Sequence, residues 1–251
     1  PKAVVCVNLL DDAEKKKIHI DISALEKNLG VPVVGASARS GHGLSALMDR
    51  VAQVTKIIRQ AHNIHQHLDL IAGLPLEDYE SFGHSFDVVY KMKPSQLQLG
   101  FLKVLKGSYM EEQKDKYELL FTGEPPYEVL STKWLSYSDV LHLKRIEEMV
   151  EIHYNSGQFG NSVKLLEQEF DQPFALYEAL ADWYEKEGAA DIGQSRLARF
   201  ELLFRFGESI LSPEKLEVFR NALMMDLYLR ENAKSRPDFA MDQSPVSYTH
   251  L

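Results

Sequence analysis

A single cysteine, Cys6, stands in 251 residues. One thiol excludes an internal disulfide and any cluster held by several thiolates. It also suits a reducing compartment, so a cytoplasmic chain is expected. No apolar run approaches the roughly 20 residues that cross a bilayer, and no signal peptide opens the sequence. Positive charge is scarce: 28 Lys and Arg stand against 37 Asp and Glu, a net charge of −9. Nucleic acid and anionic membranes both need a dense positive face, so neither is expected as a partner. There is no GxxxxGK(S/T) stretch to cradle a phosphate chain and no CxxxCxxC to hold an iron–sulfur cluster. No bound cofactor, catalytic residue or metal ligand is therefore expected for this chain. Otherwise the composition is ordinary, with 45% hydrophobic and 26% charged residues, and the length allows one or two domains. The opening at Pro1 rather than Met leads us to expect a piece of a longer protein.

The first segment reads as part of a parallel α/β sheet. Residues 3–10 (AVVCVNLL) are a continuous apolar run, the pattern of a strand buried on both faces. A polar helical stretch follows, then Gly30 and a second buried run, VPVVGAS, over residues 31–37. Residues 41–54 (GHGLSALMDRVAQV) place Leu44, Leu47, Met48 and Val51 at helical spacing. Two loops leave the carboxyl ends of these strands, where open α/β sheets bind ligands. One carries Asn8 and Asp11, the other Ser37, Ala38 and Arg39.

The NLLD and GASARSGHGL stretches at this spacing resemble the guanine-recognition half of a GTPase, nearest to the G domain of ferrous iron transport protein B (FeoB). The resemblance implies that the Asp11 carboxylate accepts from the guanine N1–H and amino group. It implies that Asn8 braces the loop, that the backbone N–H near Ala38 meets the guanine oxygen, and that Ser37 belongs to the same guanine site. A carboxylate facing two donors selects guanine over adenine. GTP and Mg²⁺ belong to the parent family. Without a phosphate loop this segment touches the base alone, and GTP hydrolysis is not expected.

Residues 55–62 (TKIIRQAH) join this segment to the next without a Gly, Pro or Ser linker. HLDLIAGLP, residues 67–75, reads as a buried strand running into a Gly-Leu-Pro turn. Residues 77–92 read as an amphipathic helix with Tyr79, Phe82, Phe86, Val89 and Tyr90 on one face. QLQLGFLKVLKGSYM, residues 96–110, alternates as a strand before Gly107. His62, His65 and His67 form HxxHxH, with Asp69 on the same face of an extended chain. The spacing is not that of an established metal site, and polar histidines at a strand entry are the expectation.

DLIAGLPLED, the helix after it and QLQLGFLKVLKGS resemble the closing strands of a radical S-adenosylmethionine (SAM) barrel, in its cobalamin-binding branch. EPPYEVLSTKWLSYSDVLHLKRIEEMVEIHYNS and KSRPDFAMD resemble the helical domain of unknown function appended to such proteins. The resemblance implies SAM, a [4Fe–4S] cluster and possibly cobalamin as cofactors of the parent, with its small-molecule ligand unknown. It places Gly73 on the SAM or substrate side of the barrel.

Beyond residue 136 helical patterns dominate. Ser138 is expected to cap a helix bearing Val140, Leu143, Ile146, Met149 and Val150, ending at Gly157. A second helix carries Phe174, Leu176, Tyr177, Leu180, Trp183 and Tyr184 and ends near Gly188. A third carries Leu197, Phe200, Leu203 and Phe204 and stops near Gly207. Ser212–Pro213 opens a fourth. Trp134 is read as a loop anchor. RENAKSRPDF, residues 230–239, is a basic patch too small for nucleic acid. Residues 245–251 resemble a translated sequencing adaptor and are set aside from the fold.

The expected class is α/β in the N-terminal part, built of partial parallel sheets from the two resembled folds, followed by an all-α C-terminal domain. The expected divisions are 1–54, 55–111, 112–240 and a disordered tail at 241–251. The first functional expectation is a chimera whose larger part comes from a radical SAM protein, without activity alone. A FeoB-type GTP-binding piece of a ferrous iron transporter and a non-enzymatic helical interaction module are the alternatives.

Overall fold

The computed structural model describes residues 3–37, 40–61, 64–190, 192–229 and 237–240. It divides into two compact units, Pro1–His67 with Lys91–Gln96, and Leu68–Tyr90 with Leu97–Leu251.

In the first unit, β1 (Val5–Val7) pairs in parallel with β2 (Val33–Gly35), Cys6 opposite Val34. Between them lie α1 (Leu10–Lys15) and α2 (Ile22–Leu29), and α3 (Leu44–Ala61) follows. The strand expected over residues 3–10 is thus cut to three residues. Leu9 adopts a left-handed φ of 63°, its amide taken by the Asn8 side chain at 2.8 Å, and α1 starts directly after it. Nor is β1 buried on both faces: Cys6 is exposed and Val5 and Val7 are only half-buried. Asp21 caps α2 through the Ala24 amide. Gly30 closes it in the left-handed conformation that a residue without Cβ adopts freely. Burial concentrates on the second strand, at Val33, Val34 and Ala36. Helix α3 runs unbroken across residues 54–55, with Leu44 and Met48 exposed and Thr55 buried.

Apart from their terminal residues His67, Lys91 and Gln96, the second unit holds β3 (His67–Ala72), α4 (Tyr79–Lys91) and β4 (Gln96–Phe101), the two strands being neighbours in one sheet. The Gln96 amide donates to the Gln66 carbonyl and the Leu102 amide to the Ala72 carbonyl. This constant offset is that of parallel strands. Strand β3 is not the buried strand expected. His67, Asp69 and Ile71 are exposed, and among its residues only Ala72 is fully covered. Strand β4 alternates as expected, burying Leu97, Leu99 and Phe101. Helix α4 buries Phe82, Phe86 and Tyr90.

A short helix, α5 (Tyr109–Glu112), follows. The antiparallel pair β5 (Leu120–Phe121) and β6 (Val129–Ser131) comes next, inside the segment read as wholly helical. Its β-branched and aromatic residues were masked by the surrounding Gly-Glu-Pro-Pro turn. Five helices complete the unit: α6 (Tyr137–Val150), α7 (Ser162–Leu166), α8 (Pro173–Lys186), α9 (Arg196–Ile210) and α10 (Pro213–Tyr228). Ser136, not Ser138, caps α6, in a reciprocal pair with Asp139. A π-helical turn at Glu151–Asn155 extends α6 before Gly157 ends it at φ 61°. Gly207 does not stop α9. It lies inside the helix, where a Cβ would come within 2.5 Å of the Phe219 ring, so its role is the close approach of α10.

One apolar cluster joins β4, α4, α6, α8, α9 and α10. Several polar groups beside it are matched. Asp226 accepts from the amides of Asn161 and Ser162 and from the Ser162 hydroxyl, capping α7. Asn155 pairs with the β4 backbone, its Oδ1 accepting from the Leu97 amide at 2.9 Å and its Nδ2 donating to the Leu97 carbonyl at 2.8 Å.

Candidate functional site

The two loops expected at a guanine site do leave adjacent strand ends. The Ala36 amide donates to the Val7 carbonyl at 2.9 Å, and the Leu10 amide to the Ala36 carbonyl at 3.2 Å. Asn8 Oδ1 accepts from Leu9 N–H and so holds its own turn. Asp11 sits in the first turn of α1, near the positive end of the helix. Its Oδ2 lies 3.9 Å from Lys15 Nζ, and its Oδ1 is shielded from solvent. Ser37 is buried, and its amide donates to the His42 carbonyl. Gly43, at φ 75°, closes this turn against the Gly35 carbonyl, leaving no space for a side chain. Ala38 and Arg39 lie outside the described residues.

At the carboxyl end of β3 the chain turns at Gly73, with φ 87°. A Cβ there would lie 2.7 Å from Val129 Cγ1, so the close neighbour of Gly73 is a side chain of β6. Leu76 holds a left-handed φ of 73° while 80% exposed. Asp78 and Ser81 then cap α4 reciprocally: the Ser81 amide donates to Asp78 Oδ1, and the Asp78 amide donates to Ser81 Oγ, each at 2.9 Å. Donation from the Ser81 amide, and then from its side chain, holds the Asp78 carboxyl below the usual carboxylate range. Glu77 is shifted the other way, chiefly by partial burial, against the bond it accepts from Ser85 Oγ.

Of the histidine pattern, His62 lies outside the described residues. His65 and His67 are exposed. Among the described residues no group of three His, Cys, Asp or Glu side chains could hold a metal ion. The exposed, solitary Cys6 does not fit an iron–sulfur cluster either. Trp134 packs against Tyr117 with centroids 5.8 Å apart, as an anchored loop residue would.

Sequence reasoning missed a second polar cluster. It joins Tyr79 at the start of α4, His142 on α6, and Glu178 and Asp182 on α8. Tyr79 had been assigned to the apolar face of its helix. The 178/182 spacing, one turn apart on α8, was the available signal.

Residues 115–249 match the family described as "Protein of unknown function (DUF4080)". The chain belongs to the DUF4080 family. The DUF4080 match takes in β5, β6 and α6–α10, and it runs on through most of the tail set aside on sequence grounds. Residues 1–51 match a different family, described as ferrous iron transport protein B. Two curated proteins named Fe(2+) transporter FeoB are similar to the chain. The one from Synechocystis is 31% identical over 74 residues, covering 30% of this chain and 12% of that protein. The one from Salmonella typhimurium is 35% identical over 68 residues, covering 27% and 8%. The chain thus spans about a tenth of the length of these relatives. The two family matches do not overlap, as in a chimera. Among the described residues no helix is long and apolar enough to cross a membrane.

Proposed function

We propose that residues 67–101 supply the last β–α–β unit of a radical SAM barrel of the cobalamin-binding type, and that the DUF4080 helices are its appended domain. The observation carrying this reading is the one-sided cover of the β3–β4 pair. Leu97, Leu99 and Phe101 pack into the helical core, while Asp69, Ile71 and Gln98 remain uncovered on a parallel sheet. Parallel sheets are ordinarily covered on both faces, so further elements of a parent barrel would sit against the uncovered residues. In such an enzyme the cluster cleaves SAM to a carbon radical. These 251 residues offer one thiol, and we propose that alone they perform no radical chemistry. Iron–sulfur reconstitution followed by a SAM-cleavage assay tests this. The expected outcome is neither cluster absorbance nor 5′-deoxyadenosine. A stable cluster with turnover would overturn the reading.

A second reading concerns residues 1–54, supported by the ferrous iron transport protein B match. We propose that Asn8, Asp11, Ser37 and Ala38 are the base-recognition end of a GTP-binding module from such a transporter. The missing phosphate loop confines this segment to weak contact with guanine. GTP hydrolysis should stay at background, and a rate abolished by Asp11→Asn would show that phosphate is held by another route.

A further inference from the structure

We propose that the outward face of α10 is a self-association surface, on which two copies of this chain pair antiparallel about a two-fold axis between Asn221 and Ala222. The helix is apolar on both sides. Phe219, Leu223 and Leu227 are buried in the core. On the opposite side Val218, Met225 and Leu229 are 56%, 55% and 65% exposed, and Tyr228 is exposed beside them. A helix that is apolar all round is ordinarily covered all round.

The outward face is self-complementary. Exposed residues recur at 214, 218, 221, 225 and 228, steps of four and three, the spacing of a coiled-coil seam. At the start of α10 the seam opens into a groove of about 280 Å³ lined by Leu165, Leu211, Glu214, Lys215 and Val218. At the other end Tyr228 and Leu229 project. The groove and the projecting pair lie equally far from Asn221 and Ala222, and so do Val218 and Met225. One two-fold axis at that midpoint therefore seats Tyr228 and Leu229 of each copy in the groove of the other and sets Val218 against Met225. A patch that carries both the hole and its knob about one centre meets the condition for an isologous contact between identical chains.

The polar groups agree with the same pairing. Asn221 faces its own counterpart across the axis, and a carboxamide is both donor and acceptor. A single Asn in an apolar seam also fixes its register. Glu214, in the groove, is an acceptor for the Tyr228 hydroxyl. Lys215 Nζ is held by Glu169 at 2.7 and 3.0 Å, so the groove offers no free cation there. Parallel pairing would set Glu214 and Glu217 each against itself. Antiparallel pairing moves the two copies of Glu214 about 22 Å apart along the axis and lays the positive end of each helix beside the negative end of the other. The seam is about 21 Å long, so the interface falls at the small end of specific contacts and association in the micromolar range is expected.

Sedimentation velocity of the full chain from about 5 to 200 µM, beside V218E, M225K and the double variant V218E/M225K, tests the pairing. The wild-type average mass should climb from monomer toward dimer across this range. Each single variant sets a charge against an apolar side chain and should weaken association at least about tenfold, with Tm unchanged because both positions are exposed. The double variant sets opposite charges across each antiparallel pair and should recover tighter association than either single one. A chain that stays monomeric throughout, a dimer indifferent to the single variants, or a double variant no tighter than the single ones would overturn the proposal.

Discussion

Both units of this chain start from parallel strands bridged by helices, yet their interiors differ in kind. In the first, the buried apolar side chains among the described residues are Val33, Val34, Ala36 and Pro94. Leu9, Ile18, Leu29, Met48 and Ile57 face solvent. In the second, one cluster extends from Ala72 to Phe239, and the buried Asp226 and the half-buried Asn155 find partners. The helices of the first unit are as amphipathic as those of the second. Periodicity marks the face that an element offers to a core, and the number of layers around it decides whether that face is covered.

The sharpest way to break the comparison is to empty both cores. Phe219→Ala should cost about 3–5 kcal/mol in chemical denaturation, because the ring fills the space beside Gly207 and cannot be replaced by collapse. Val34→Ala should cost no more than about 1.5 kcal/mol, the transfer value of its two missing carbons. Equal costs would mean that the first unit is as tightly built as the second.

A smaller effect concerns a buried histidine of the second unit. His153 is buried, its Nε2 3.1 Å from the Tyr184 hydroxyl. Burial first, then the Arg199 charge, push its pKa down to about 3. The unfolded chain takes up this proton near the ordinary histidine pKa of about 6.5 and the folded one does not. The stability contributed by neutral His153 is therefore complete above about pH 6.5 and is lost toward pH 3, at up to about 1.4 kcal/mol per pH unit. Circular dichroism melts from pH 7 to 4 should show this loss in the wild type and a flatter profile in His153→Asn.

The smallest effect expected is at the sheet edge. Asn155→Ala leaves the Leu97 amide and carbonyl without their partner, for a loss of about 1–2 kcal/mol. Hydrogen exchange at the Leu97 amide should quicken while the amides of α8 keep their protection. An unchanged Leu97 rate would remove Asn155 from the edge.

Much of the fold was legible because single residues carry strong local instructions. Gly30, Gly157 and Gly188 each sit at positive φ at a helix end, and Ser212 with Pro213 opens α10. The alternation of Leu97, Leu99 and Phe101 fixed the buried face of β4. What failed was what depends on distant partners. Gly207 reads as a stop signal, yet Phe219 from another helix makes it an interior residue. The run at residues 3–10 reads as a long strand, yet the Asn8 side chain takes the next amide and ends it. The loops bearing Asn8, Asp11 and Ser37 were legible from motif and spacing. The Tyr79–His142 cluster was not, because its members lie 63 and 99 residues apart in pairs.

The carboxamide of Asn155 has a consequence for growth. By occupying Leu97 it acts as a stopper on one border of the β3–β4 ribbon, and the Val129 amide bonded to the Leu102 carbonyl seals the far end of the same border. A newly arriving chain therefore finds this border of β4 occupied at both ends.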